Sequence, residues 1–226
     1  GAVVTLVERN NAPAFTNIAM VLGGDITERN FTWFSLDGGK GKITYQKKDE
    51  MVNGEFSADA KSVEARRCHS DDVCSNMDYY YQNEAVVSGL EAGTTYTYRV
   101  GDGTTFSQPG TFVTDDGDDK FEFIAFADVQ AGNEENFLKA AKVLEAAQAT
   151  MPGAEFMVGL GDFTDDSTNE EWDWFDSSFA DVKASTTLVP ISGNHDGLGV
   201  EYWFNNMFCL DESESVQIKD GVNYSF

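Results

Sequence analysis

Three short polar stretches in this chain have the residue types needed to hold cations and to move a proton. They are Asp128-Val129-Gln130, Gly161-Asp162 and Gly193-Asn194-His195-Asp196. Each follows directly on an apolar run: FEFIAFA, EFMVGL and TTLVPIS. Carboxylate and amide oxygens are hard donors that suit divalent cations. Asp128, Asp162 and Asn194 therefore read as a hard-oxygen metal site. His195 beside them can donate a proton or steady a leaving oxygen. Taken singly, Gly-Asp after a strand is an ordinary turn, and a lone Asp is an ordinary helix cap. The recurrence of the pattern, in order and at successive strand ends, is what points to a site.

The elements that must position these residues are legible around them. FEFIAFAD is predicted to be a strand buried on both faces. ENFLKAAKVLEAAQAT places Phe137, Leu138, Ala141, Leu144 and Ala147 at helical spacing. EFMVGLGD is a second buried strand. NEEWDWFDSSFADV is a helix with Trp172, Phe175 and Phe179 on one stripe and Asn169 as its N-cap. TTLVPISGNHD is a third strand. The order β-α-β-α-β implies a parallel sheet with right-handed crossovers. Ligands of such sheets gather at the carboxyl ends of the strands, which is where the polar stretches fall.

Residues 1–114 read differently. NFTWFSL, GKITYQKK, NEAVVSGL, TTYTYRVG and QPGTFVTD are short β-branched or aromatic segments punctuated by Gly, Asn and Asp. That spacing predicts an all-β sandwich. LEAGTTYTYRV has the corner-and-strand pattern of fibronectin type III-like sandwiches, in which the Tyr96 hydroxyl would pin the corner and Trp33 would fill the core. DDGDDK, residues 115–120, is an acidic break and reads as a linker; residues 121–226 form the second unit.

Composition limits the functions available. With 39 acidic against 15 basic residues the net charge is −24, which opposes nucleic-acid binding and contact with anionic membrane. No apolar run is long enough to span a bilayer, so no membrane insertion is expected. A strongly charged, self-repelling surface suits an exported, extracellular or cell-surface protein. Cys68 and Cys74 have the spacing for one loop-closing disulfide in an oxidising compartment, and Cys209 is left over. Asn30-Phe31-Thr32 and Asn223-Tyr224-Ser225 match the N-glycosylation pattern and hint at the same compartment.

These motifs together resemble the calcineurin-like metallophosphoesterase superfamily. The nearer resemblance is to purple acid phosphatase-like bacterial proteins that carry a fibronectin type III-like domain first. ITERNFTWFS and LEAGTTYTYRV carry it in the first unit, and the strand-end motifs carry it in the second. The resemblance implies a mixed fold: an all-β sandwich, then the first half of a four-layer αββα phosphoesterase domain. It implies hydrolysis of a phosphate ester at a centre of two divalent or trivalent ions, Zn, Mn or Fe. Asp162 would bridge the ions, Asp128 would bind one and Asn194 the other. His195 would assist the leaving group, with Asp196 orienting it.

Three departures from that pattern matter. Position 130 is Gln where the superfamily has His; Gln130 offers a carbonyl oxygen, a weaker ligand than imidazole. Asp165 stands where purple enzymes have the tyrosine that colours them, so iron is not specifically implied. No histidine follows His195, although the superfamily has one at a later strand end and a Gly-His-x-His motif beyond. The chain is therefore expected to be one part of a larger protein, a cleavage product with its partner (the missing C-terminal half or another subunit) nearby, or a repurposed half-domain. The competing function is a non-catalytic extracellular structural or adhesive protein on an incomplete phosphoesterase fold.

Overall fold

The computed structural model describes residues 14–36, 41–48, 56–68 and 77–196, together with Phe204, Met207 and Phe208. Eight strands come first: β1 (Phe15–Leu22), β2 (Arg29–Ser35), β3 (Lys42–Lys47), β4 (Phe56–Asp59), β5 (Lys61–Cys68), β6 (Met77–Val87), β7 (Thr95–Gly101) and β8 (Gly110–Val113). Then follow β9 (Phe123–Phe126), α1 (Glu134–Thr150), β10 (Phe156–Gly159), α2 (Asn169–Ser178), α3 (Ala180–Ser185) and β11 (Thr187–Pro190). The expected mixed fold is present, an all-β sandwich followed by an α/β unit. No described helix is long and apolar enough to cross a membrane.

Strands β4-β3-β7-β8 form one sheet, and β5-β6-β2-β1-β11-β10-β9 form the other. The second sheet runs through both units. Its antiparallel part is β5, β6, β2 and β1; β1 then pairs in parallel with β11, at Val21 and Leu188, and β11, β10 and β9 continue in parallel. The β-α-β-α-β pattern thus yields its parallel sheet.

Strand alternation lets β1 serve two cores. Met20 packs with Phe31, Trp33, Ile43, Tyr98, Val100 and Phe112 between the sandwich sheets. Ala19 and Val21 point the other way, into a cluster with Phe137, Leu144, Trp172, Phe175 and Phe179. β2 divides likewise, Phe31 and Trp33 to one core and Phe34 to the other, so all seven of its residues are buried. Burial of a side chain of this size stabilises by roughly 1.5–3 kcal/mol. Trp33 is fully buried, and the Tyr96 hydroxyl accepts from the Glu91 N–H at 2.9 Å, so the tyrosine corner is built as the sequence implied.

Several sequence expectations need correction. The 169–182 helix is two helices that meet at Phe179, which is both the C-cap of α2 and the N-cap of α3. Its N-cap is Thr168, not Asn169: the Thr168 hydroxyl accepts from the Glu171 N–H, and the Glu171 carboxylate accepts from the Thr168 N–H, a closed capping box. Leu138 of α1 lies outside the core. β9 is not buried on both faces: Ile124 is covered by the cluster that includes α1, whereas no described helix covers the opposite face and Phe123 is exposed. Asn30 is 3% exposed within β2, so it is no accessible glycosylation acceptor. The Cys68–Cys74 disulfide, Cys209 and the Asn223 triplet fall outside the residues or side chains described.

Candidate metal centre

The three polar stretches meet at one end of the parallel strands. Asp128 ends the segment after β9, Asp162 the segment after β10, and Asn194 and His195 the segment after β11. The backbone binds these segments to each other. Asp128 N–H donates to Gly161 O at 3.2 Å, and Gln130 N–H to Asp162 O at 3.0 Å. His195 N–H donates to the Asp162 carboxylate at 3.0 Å. Asp162 is therefore the residue to which both neighbouring segments are tied.

The approach is close enough to need glycine. A Cβ on Gly161 would stand 2.7 Å from the Gly193 Cα, and Gly161 also holds φ at +96°. Asp128 and Asp162 themselves sit in the left-handed region, at φ 55° and 53°. Such backbone costs about 1–3 kcal/mol at a non-glycine residue and persists only where its surroundings enforce it.

On the β11 side the fastening residue is Asp196. It is fully buried. Its carboxylate accepts from Phe163 N–H at 2.7 Å, Thr164 N–H at 3.1 Å and Gly193 N–H at 2.9 Å. Its main-chain oxygen accepts from the Ser167 hydroxyl, which in turn accepts from the Trp172 indole N–H at 3.0 Å. Burial pushes the Asp196 carboxyl above its ordinary range, and the backbone donors pull against that. Asp196 thus clamps the second and third segments together.

Orientation of His195 falls to Asp165 rather than to Asp196. The Nδ1 lies 2.5 Å from the Asp165 carbonyl oxygen and 3.4 Å from its carboxylate. A carbonyl can only accept, so Nδ1 carries a proton and donates it, which leaves Nε2 as the working end of the ring. That bond raises the imidazole above its ordinary value, and the Asp162, Asp165 and Asp166 charges add to the rise. Asp165 could be suspected from sequence only as one of the acidic residues in GDFTDD; its role depends on a contact 30 residues away in the chain.

The prospective ligands differ in exposure. Asp128 and Asn194 are exposed, and Asp162 and Gln130 are half-buried. The Gln130 Oε1 is shielded from solvent yet has no hydrogen-bond partner. An amide oxygen so placed is a donor without a hydrogen to receive, so the set of donors fits a cation. The carboxylates of Asp165, Asp166 and Glu171 also lie within 4.8 Å of one another. Glu171, however, is already committed to the backbone amides of Asp166 and Thr168. A cavity of about 560 Å³ lined by Leu22, Ile26, Arg29, Phe121, Phe156 and Val158 opens at the opposite end of β9 and β10 and takes no part in this centre.

Comparison with known proteins agrees with this architecture. Residues 15–114 match the family model of the purple acid phosphatase N-terminal domain. A solved purple acid phosphatase from seeds of yellow lupin (Lupinus luteus) superposes with a TM-score of 0.71 at 14% identity, over 89% of this chain and 42% of the lupin chain. A solved structure of PhoD aligns over 82% of this chain and 40% of its own, with a TM-score of 0.49 at 14% identity. No curated protein matches the sequence. The chain spans less than half the length of the lupin enzyme. Residues 15–114 thus match the N-terminal domain of purple acid phosphatases, and beyond them the chain keeps the fold of the lupin enzyme.

Proposed function

We propose that this chain belongs to a metal-dependent phosphoesterase and carries the first part of its catalytic centre. The supporting observation is the mutual fastening of three strand-end segments around Asp162, with oxygen donors at each. In this reading Asp128, Gln130 and Asp162 would hold one cation, and Asp162 and Asn194 would hold a second. Divalent ions there supply Lewis acidity and neutralise phosphoryl charge. The chain's own residues do the rest. Asp128 and Asp162 fix the donors by backbone, and Asp196 keeps the segments from parting. His195 is held by Asp165 with Nε2 free, so it can hold a proton and pass it to the leaving oxygen of a phosphate ester. The bond to Asp165 and the neighbouring carboxylate charges raise the imidazole above its ordinary value, which favours the protonated ring.

Export is part of the same proposal; its support is the −24 net charge, which favours solubility without a basic footprint for polyanions. Hydrolysis of an aryl phosphate, followed with and without added divalent ions, tests the activity. Asp162→Ala and His195→Ala should each abolish the metal-dependent part. Unchanged turnover in either variant removes the site assignment.

A further inference from the structure

The donors gathered at the strand ends contain no imidazole in a ligand position. Asp128 and Asp162 bring carboxylates, Gln130 and Asn194 bring amide oxygens. His195 is the one histidine among the described residues, and its Nδ1 is held by Asp165. Gln130 is placed with particular care. Its backbone N–H is tied to Asp162 O at 3.0 Å, two residues after Asp128 in the adjoining segment. Its Oε1 is withdrawn from water without a partner. A polar atom left in that state normally loses stability, and a cation would restore it.

We infer that, within the phosphoesterase reading, the cation held by Asp128, Gln130 and Asp162 is a hard, oxygen-preferring ion of the Mn²⁺ or Mg²⁺ class, and that the Gln130 amide oxygen sets this preference. Carboxylate, carbonyl and water oxygens suit Mg²⁺, Ca²⁺ and Mn²⁺, whereas imidazole nitrogen suits Zn²⁺, Cu²⁺ and Ni²⁺. Intrinsic affinity still rises from Mn²⁺ to Zn²⁺ at any fixed donor set. The Gln130 oxygen therefore narrows the usual advantage of Zn²⁺, and nitrogen in its place would widen it.

Calorimetric titration of the intact chain with MnCl₂ and with ZnCl₂, joined to the Mn²⁺ electron paramagnetic resonance spectrum, tests this without recourse to turnover. Gln130→His, Gln130→Ala and Asp162→Ala are titrated beside the parent, with circular dichroism to confirm that each is folded. The parent should bind Mn²⁺ within about tenfold of Zn²⁺, in a manner lost in Asp162→Ala. Gln130→Ala should weaken Mn²⁺ about tenfold, and Gln130→His should strengthen Zn²⁺ at least about tenfold while leaving Mn²⁺ nearly unchanged. Asp162-dependent binding that favours Zn²⁺ more than about a hundredfold, unmoved by Gln130→His, overturns the preference and leaves the phosphoesterase reading standing. Absence of any Asp162-dependent binding overturns both.

Discussion

Asn17 at the seam between the two units and Asp162 at the candidate centre share one local device, a short polar side chain on left-handed backbone at φ 47° and 53°. Their surroundings use it in opposite ways. Asn17 sits in a bulge of β1 and is 1% exposed. Its N–H donates to Asp176 at 2.9 Å, its side-chain amide donates to Met207 O at 3.0 Å, and its carbonyl accepts from the Lys183 ammonium at 3.0 Å. Lys183, also 1% exposed, closes the network with Asp176 at 2.5 Å. Each of these groups ends on another protein group, so the seam is shut. At the centre the backbone groups are equally well matched, but Asp128 and Asn194 reach solvent and the Gln130 oxygen is unpaired. The same strain fastens β1 to the helical layer in one place and leaves oxygen donors unmatched in the other. What separates a structural from a functional polar cluster here is the number of side-chain lone pairs left over once the fold has been served.

Substitutions can break or sharpen that contrast. The largest effect belongs to Asp162→Ala, which should remove metal-dependent aryl phosphate hydrolysis altogether. Next comes the seam: Lys183→Ala leaves Asp176 and Asn17 without their buried cation and should cost about 3–5 kcal/mol in urea unfolding. A loss under about 1 kcal/mol would show the network to be replaceable by water. Smaller changes test single bonds across the same join. Tyr98→Phe gives up the hydroxyl's bond to Ala184 O at 3.1 Å and should cost about 1 kcal/mol. Thr168→Ala opens the capping box of α2 and should cost about as much, again read from the unfolding midpoint.

The smallest effect shows only as a slope with pH. Glu155 stands just before β10, as Asp162 stands just after it. Burial, and then the hydrogen bond and charge of Asp115, push its carboxyl up to about 7. Nearby Arg29 is lowered to about 10, chiefly by burial, and stays charged. A carboxyl whose folded value exceeds its unfolded one favours folding while protonated. Its contribution is whole below about 4.5 and is lost as pH rises through about 7. Glu155→Gln should flatten the decline in unfolding midpoint between pH 5 and pH 8. A decline of the same steepness in the variant would assign it to another group.

The sequence by itself determined the polar residues of the candidate centre and their order along the chain. Apolar runs ending in Asp128, Asp162 and Asn194-His195 encode both the strands and the donors, because a strand's end is a local property and so is the polarity of the next residue. The Tyr96 corner was legible for the same reason, since its partner Glu91 lies within the same short segment. Tertiary structure alone decided the rest. FTNIAMVL, which becomes β1, carries no sign that its alternating faces enter different cores or that it pairs with β11, more than 160 positions onward. The clamp made by Asp196 and the hold of Asp165 on His195 likewise join residues about thirty positions apart. Periodicity records which face a residue takes, but it does not record what lies against that face. That is fixed only when the parallel strands set their register and bring the loops beyond them into contact.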